Sequence, residues 1–215
     1  MDVLRATSTI TAVLDKNAYD VIPAQKIGDA MAAKNAVKDG RSVYLGGERD
    51  GKKIEGFDFG NSPIEYPLDL ISGAHVVLCT TNGTQAIAKA EYSDKMFMGC
   101  INNAAAVAKA AIKEEKDIVI LCSGTRNNFS SDDILAAGAI IYNLKQFAEI
   151  ELDDLSFLAL KLYTEYRSDL IKFIEFTKPY KILTALGMTE DIKYCLKENI
   201  SDTVPVFKNG CIVKL

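Results

Sequence analysis

"HVVLCTTNGTQAIAKA", residues 75–90, passes from a run of apolar residues through hydroxyls, an amide and a glycine into an amphipathic segment. Val76, Val77, Leu78 and Cys79 show no alternation, which predicts a strand from His75 to Cys79 buried on both faces. Thr80 to Thr84 reads as a tight polar turn, and the spacing beyond it predicts a helix from Gln85 to Glu91. Strand, short turn and helix make the repeating unit of an α/β fold.

Outward from this unit the pattern recurs. Further strands are predicted at Asp2 to Leu4, Val21 to Ala24, Ser42 to Leu45, Lys95 to Cys100 and Asp117 to Cys122. Helices are predicted at Thr9 to Lys16, Ile27 to Lys38, Leu68 to Ser72, Ala104 to Lys113 and Asp132 to Phe147. Such alternation predicts an α/β architecture, a mostly parallel sheet with helices on both faces. After Ile150 the texture changes. Residues 155–166, 170–176, 180–186 and 192–196 carry apolar residues at helical spacing with no buried-strand run between them. The division expected is an α/β catalytic core over 1–150 and, in the same domain, a helical C-terminal subregion over 151–215. That subregion closes with a β-hairpin turning at Asn209-Gly210, where Pro205 suits an edge strand.

Composition limits the function. The 215 residues are 48% hydrophobic and 25% charged, as expected of a globular protein with a substantial core. A formal net charge of -4 argues against a general nucleic-acid or membrane-surface binder, leaving a small anion in a local basic pocket as the expected partner. No apolar run approaches the length of a membrane span and the N-terminus lacks a signal-peptide layout, so a cytoplasmic protein is expected. Five cysteines without a CxxC pair indicate neither a disulfide framework nor a zinc site.

In parallel α/β sheets ligands bind beyond the carboxyl ends of strands, where strand-to-helix loops converge. Four loops qualify. They are Arg5 to Ser8, Gly46 to Pro63 ("GGERDGKKIEGFDFGNSP"), Thr80 to Thr84, and Ser123 to Asp133. Thr81, Asn82, Gly83 and Thr84, and again Ser123, Gly124 and Thr125, bring hydroxyls and glycine to a helix start, where N-H groups face an anion. Arg5, Arg49, Lys52, Lys53 and Arg126 add cations suited to phosphate, carboxylate or sulfonate oxygens. Asp2, Glu48, Glu55, Asp58, Asp132 and Asp133 add hard oxygen ligands suited to magnesium. Each has a plain structural alternative: Thr84 as an N-cap, Asp132 and Asp133 as acids in a first helical turn, Lys52 and Lys53 as solvated charge. It is the gathering of four such loops at one sheet edge that points to a site.

Known phosphate chemistries narrow the field. There is no GxxxxGK[ST] and no GxGxxG; Cys122 to Arg126 is too short for a tyrosine-phosphatase loop, and position 4 is leucine where a haloacid-dehalogenase pattern needs aspartate. His75, the only histidine, opens a strand away from the loops. Carboxylates with a metal are therefore the expected agents.

"DVLRATSTI" at 2–10, "GGERDGKKIEGFDFGNSP" at 46–63, "TTNGTQAI" at 80–87 and "CSG" at 122–124 with Asp132-Asp133 and Ala137-Gly138 resemble the 2-phosphosulfolactate phosphatase family. "DIKYC" at 191–195 and "VPV" at 204–206 fit as well. The resemblance implies a magnesium-dependent hydrolase converting 2-phospho-3-sulfolactate and water to 3-sulfolactate and phosphate, a step of coenzyme M biosynthesis in methanogens. It implies Asp2, Arg5, Arg49 and Asp133 as catalytic groups, with Asp2, Glu48 and Asp133 as metal ligands. Thr7, Ser8, Glu55, Asn61, Ser62 and the two hydroxyl-rich loops would hold the polyanionic substrate. Direct attack by water and attack by Asp2 to give an aspartyl-phosphate both remain open. So do a phosphatase for another small anionic phosphomonoester, a non-catalytic anion-binding module, and a homodimer. Family members carry a segment upstream of Asp-Val-Leu-Arg, so the first strand here is expected to lack its beginning.

Overall fold

The structure, a computed structural model, describes residues 1–90 and 92–215; Glu91, the last residue of the helix predicted from Gln85, lies outside the described residues. In chain order the elements are α1 (Ala6–Asp15), β1 (Asp20–Ala24), α2 (Ile27–Ala36), β2 (Val43–Arg49), β3 (Lys52–Lys53), α3 (Leu68–Ile71), β4 (His75–Cys79), α4 (Gly83–Lys89), β5 (Met96–Phe97), α5 (Ala104–Ile112) and α6 (Ser131–Phe147). There follow α7 (Asp154–Tyr166), α8 (Leu170–Ile174), α9 (Lys178–Ala185), α10 (Thr189–Cys195), β6 (Pro205–Lys208) and β7 (Cys211–Lys214).

The unit at 75–90 forms as the spacing predicts, and β4 lies between β2 and β1. Its register with both is parallel, His75 opposite Val43 and Asp20, Cys79 opposite Gly47 and Ala24, so the carboxyl ends of the three strands are level. Alternate side chains of β4 enter different layers. Val76 and Leu78 pack with Ile10 and Leu14 of α1 and Ile87 of α4, while Val77 and Cys79 pack with Ala30 of α2. Helices on both faces follow from this period of two.

Parallel pairing stops there. The sheet runs β3-β2-β4-β1-β7-β6-β5, and β1–β7, β7–β6, β6–β5 and β2–β3 are antiparallel, so the α/β class holds but the sheet is not mostly parallel. The reason is the terminal hairpin. Asn209 (φ 53°) and Gly210 (φ 84°) make its two-residue turn, and β7 inserts beside the central β1 with Ile212 opposite Val21. This places β6 inside the sheet, correcting the edge assignment; Pro205 is tolerated as the first residue of its strand.

Two predicted strands do not form. At 2–4 the amide groups are taken by nearby acceptors: Asp2 N–H donates to Thr7 Oγ1 (3.1 Å), Val3 N–H to Asp133 Oδ1 (3.2 Å), and Thr7 N–H to Asp2 O (3.0 Å). The segment becomes the turn that launches α1. Residues 117–122 have strand-like composition, yet among the described residues their backbone bonds are confined to one end, where the Met1 amino group donates to Leu121 O (2.7 Å). Without a neighbouring ladder they stay extended coil. The C-terminal helices form as expected, Leu183 of α9 and Ile192 of α10 sharing one core with Leu135 and Ile140 of α6. No helix among the described residues is long and apolar enough to cross a membrane.

Candidate active site

Beyond the level carboxyl ends of β2 and β4 lies a cleft of about 80 Å³, walled by the segment around Asp2, the β2–β3 hairpin, the 80–84 turn, the 123–133 loop and the first turns of α9. Backbone donors and buried carboxylates bind these segments together. Glu48, at the end of β2, accepts Thr81 N–H on Oε1 (2.8 Å) and Gly51 N–H on Oε2 (2.8 Å). Asp133 accepts Val3 N–H on Oδ1, and Gly124 N–H (2.9 Å) and Ser123 Oγ (3.1 Å) on Oδ2. Asn82 Oδ1 accepts Arg126 N–H (2.9 Å). Close approach does the rest. A Cβ on Gly83 would lie 2.5 Å from Ala6 Cβ and 2.9 Å from Asp2 Oδ2, so glycine is needed where α4 starts against α1.

The floor is acidic. Asp2, Asp132 and Asp133 are each buried, and the ion pairs among the described residues all involve other acids. Burial, then the charge of Asp133, pushes Asp2 up to about 8, and the same two causes raise Asp132 to about 7. Asp133 is also raised by burial, against the pull of the N-terminal ammonium and its three donors. Asp2 is lightly engaged, with Ala6 N–H donating to Oδ1 at 3.3 Å; Asp132 Oδ1 accepts from the Ser130 hydroxyl.

Several residues singled out in the sequence hold the walls together, Arg5 while also lining the cleft. Arg5 is buried, donating to Asp191 Oδ2 (2.5 Å) and Gly51 O (2.9 Å), and Ser62 Oγ donates to Asp191 Oδ1 (2.7 Å). Thr7 and Ser8 close the turn at 2–8, their hydroxyls donating to Asp2 O and Val3 O. Thr84 Oγ1 donates to Thr80 O within the first turn of α4. Arg49 turns away, its guanidinium on Gln25 O and Cys79 Sγ, and Glu55 is exposed outside the cleft wall. Lining the cleft are Asp2, Glu48, Asn61, Thr81, Asn82, Gly124, Thr125 and Asp133 among the expected residues, with Arg5 at its base. Asn61 Oδ1 and Thr81 Oγ1 are buried with no hydrogen-bond partner in the protein, so both atoms are open to a water or a ligand.

Those chemical features suit a hard cation and an anion together. Among the described residues no three His, Cys, Asp or Glu side chains converge to cage a metal by themselves. Magnesium is commonly held by one or two carboxylates with water and substrate phosphate completing its octahedron, and the uncompensated acids on the floor fit that demand.

Residues 1–210 match the 2-phosphosulpholactate phosphatase family. The chain belongs to this family. Relatives named probable 2-phosphosulfolactate phosphatase include one from Caldanaerobacter subterraneus subsp. tengcongensis, 43% identical over 99% of this chain and 88% of its own length. One from Clostridium perfringens strain SM101 is 44% identical over 98% of this chain and 85% of its length, and one from Clostridium novyi 40% identical over 100% and 90%. Within a 2-phosphosulpholactate phosphatase fold, then, the four loop motifs that carried the resemblance all meet around the cleft. Asp191, Lys178 and Asp50 were not singled out from sequence. Asp191 stands in the "DIKYC" stretch that carries part of the resemblance, whereas Lys178 reaches the cleft through the packing of α9, for which local sequence holds no signal.

Proposed function

We propose that this chain is a phosphatase hydrolysing 2-phospho-3-sulfolactate to 3-sulfolactate and phosphate with magnesium. The observation that carries the reading is the set of buried acids, Asp2, Asp132 and Asp133, on the floor of a cleft whose rim holds Arg126 and Lys178. A cation draws such acids into their ionised form and stands between them and a phosphate, whereas a module that only binds anions has no use for carboxyls that burial must hold neutral beside its ligand. Asp2 and Asp132 would hold the magnesium ion, which when bound supplies positive charge against the phosphoryl oxygens. Asp133 and Glu48 keep the loops in register through the backbone amides they accept. Thr81 and Asn61 offer their unpartnered polar atoms to the substrate. In the step itself water oxygen bonds to phosphorus, the ester P–O bond breaks, and the leaving alkoxide takes up a proton.

The test is phosphate release from 2-phospho-3-sulfolactate, measured with magnesium and then with chelator. Magnesium-dependent release supports the reading; tight binding without release would favour the non-catalytic module. Release from other small phosphomonoesters but not from this one would change the substrate and leave the phosphatase. Borohydride trapping during turnover separates the two routes: attack by Asp2 leaves an acyl phosphate at Asp2 that is reduced to homoserine, whereas direct attack by water leaves nothing to reduce.

A further inference from the structure

Two cations, Arg126 and Lys178, line the mouth of the cleft. Arg126 sits in the 123–133 loop with φ 51°, followed by Asn127 with φ 61°, and its amide is fixed by Asn82 Oδ1 at 2.9 Å. Lys178 is the first residue of α9, whose start is ordered by Tyr180 N–H donating to Thr177 Oγ1 (3.3 Å). Lys178 has no ion-pair partner among the described residues, and the positive end of the α9 dipole lies behind it. The hairpin tip is seated against this same helix, since a Cβ on Gly51 would come within 2.8 Å of Leu186 and 3.4 Å of Ile182.

Two further observations point to a ligand here. Asn61, only 4% exposed, lines the cleft with Oδ1 unpartnered; a half-turn of the amide brings N–H to the same place, ready to donate to an anion oxygen. Arg126 is meanwhile paired with Asp50, whose side chain is 71% exposed, a carboxylate that a stronger anion displaces at little cost.

We propose that Arg126, Lys178 and Asn61 form a second anion subsite for an acid group of the substrate other than its phosphate, a sulfonate or carboxylate, with Asp50 covering Arg126 until that group arrives. This rests on the phosphatase reading above and adds to it the residues that select the substrate. A phosphomonoester with no further acid group would engage the floor and leave the rim unused.

The experiment compares 2-phospho-3-sulfolactate, 2-phospholactate and glycerol 2-phosphate across Arg126→Met, Lys178→Met, Asp50→Asn and the control Lys181→Met. Loss of one charged hydrogen-bond donor should raise KM for the sulfolactate ester about tenfold, with kcat within about twofold. KM for glycerol 2-phosphate should not move. 2-Phospholactate follows glycerol 2-phosphate if the sulfonate is read and the sulfolactate ester if the carboxylate is read, and either supports the subsite. Asp50→Asn, by uncovering Arg126, should lower KM for the sulfolactate ester, and Lys181→Met should change nothing. An equal rise for all three substrates, or a fall in kcat alone, overturns the proposal. If the wild-type chain releases phosphate from none of them, the phosphatase reading fails separately. Calorimetric binding of 3-sulfolactate then tests the subsite alone: about tenfold weakening in both rim variants upholds it, and unchanged binding overturns it.

Discussion

Asp191→Ala is expected to be severe although Asp191 makes no contact with the cleft floor. Arg5 and Asp191 are 2% and 5% exposed and meet at 2.5 Å, with Ser62 donating to the other Asp191 oxygen at 2.7 Å. Removing the carboxylate leaves a guanidinium buried with Gly51 O as its remaining oxygen acceptor, and stranding one partner of a buried pair costs about 3–5 kcal/mol. For a chain of this size that is a fall in melting temperature of about 6–20 °C. Urea unfolding should show a lower midpoint with an unchanged slope, and the double variant Arg5→Met/Asp191→Leu should recover much of the loss. Because the pair joins the start of α1, the 46–63 segment and α10, turnover at low temperature should fall as well. A cost under about 1 kcal/mol would refute the reasoning, placing the pair among screened surface contacts and releasing Arg5 to act on substrate directly.

Gly138→Ala should cost about 3 kcal/mol in denaturant unfolding, since its Cβ would lie 2.1 Å from Ala159 O and 2.6 Å from Tyr163 Cβ where α6 meets α7. Glu48→Gln replaces an acceptor oxygen with a donor, so one of Thr81 N–H and Gly51 N–H loses its partner; a loss of about 1–2 kcal/mol and a raised KM are expected, read by urea midpoint and steady-state kinetics. His75 gives a pH signature. Burial pulls its pKa down, but hydrogen bonds to Asp39 (3.0 Å) and Asp20 (2.8 Å) outweigh it, and the net shift is upward from 6.5. The charged ring thus contributes stability fully present below pH 6.5 and lost as pH rises through the raised value. The gap in urea midpoint between wild type and His75→Asn should narrow from pH 5.5 to pH 9.

Legibility followed the range of the signals. The strand-turn-helix at 75–90 is decided by neighbours in sequence, and so are the helices on both faces, since β4 sends Val76 and Val77 to opposite layers. The antiparallel half of the sheet was not legible, because the destination of the 205–214 hairpin is fixed by Ile212 meeting Val21 across nearly the whole chain. At the site, residue types announced the chemistry but not the partners. Glu48 and Asp133 read as candidate metal ligands in the sequence, and only tertiary structure reveals the backbone amides they accept. Arg49 is two residues beyond Gly47 in β2, and the strand directs it toward Cys79 Sγ instead of the cleft. Arg49→Ala is accordingly expected to act through stability of that edge.

The central claim is that the buried acids hold a cation for phosphate transfer, and Asp2→Asn tests it with little risk of unfolding. With its pKa raised to about 8 by burial and Asp133, Asp2 without a cation is mostly neutral at pH 7, and asparagine keeps that shape. The decisive measurement is phosphate release from 2-phospho-3-sulfolactate as a function of magnesium concentration, in wild type and in Asp2→Asn shown to be folded. The account predicts saturable magnesium dependence in the wild type and a loss of about a hundredfold or more in the variant. Undiminished release in excess chelator, or a magnesium titration of Asp2→Asn superimposing on that of the wild type, would contradict it.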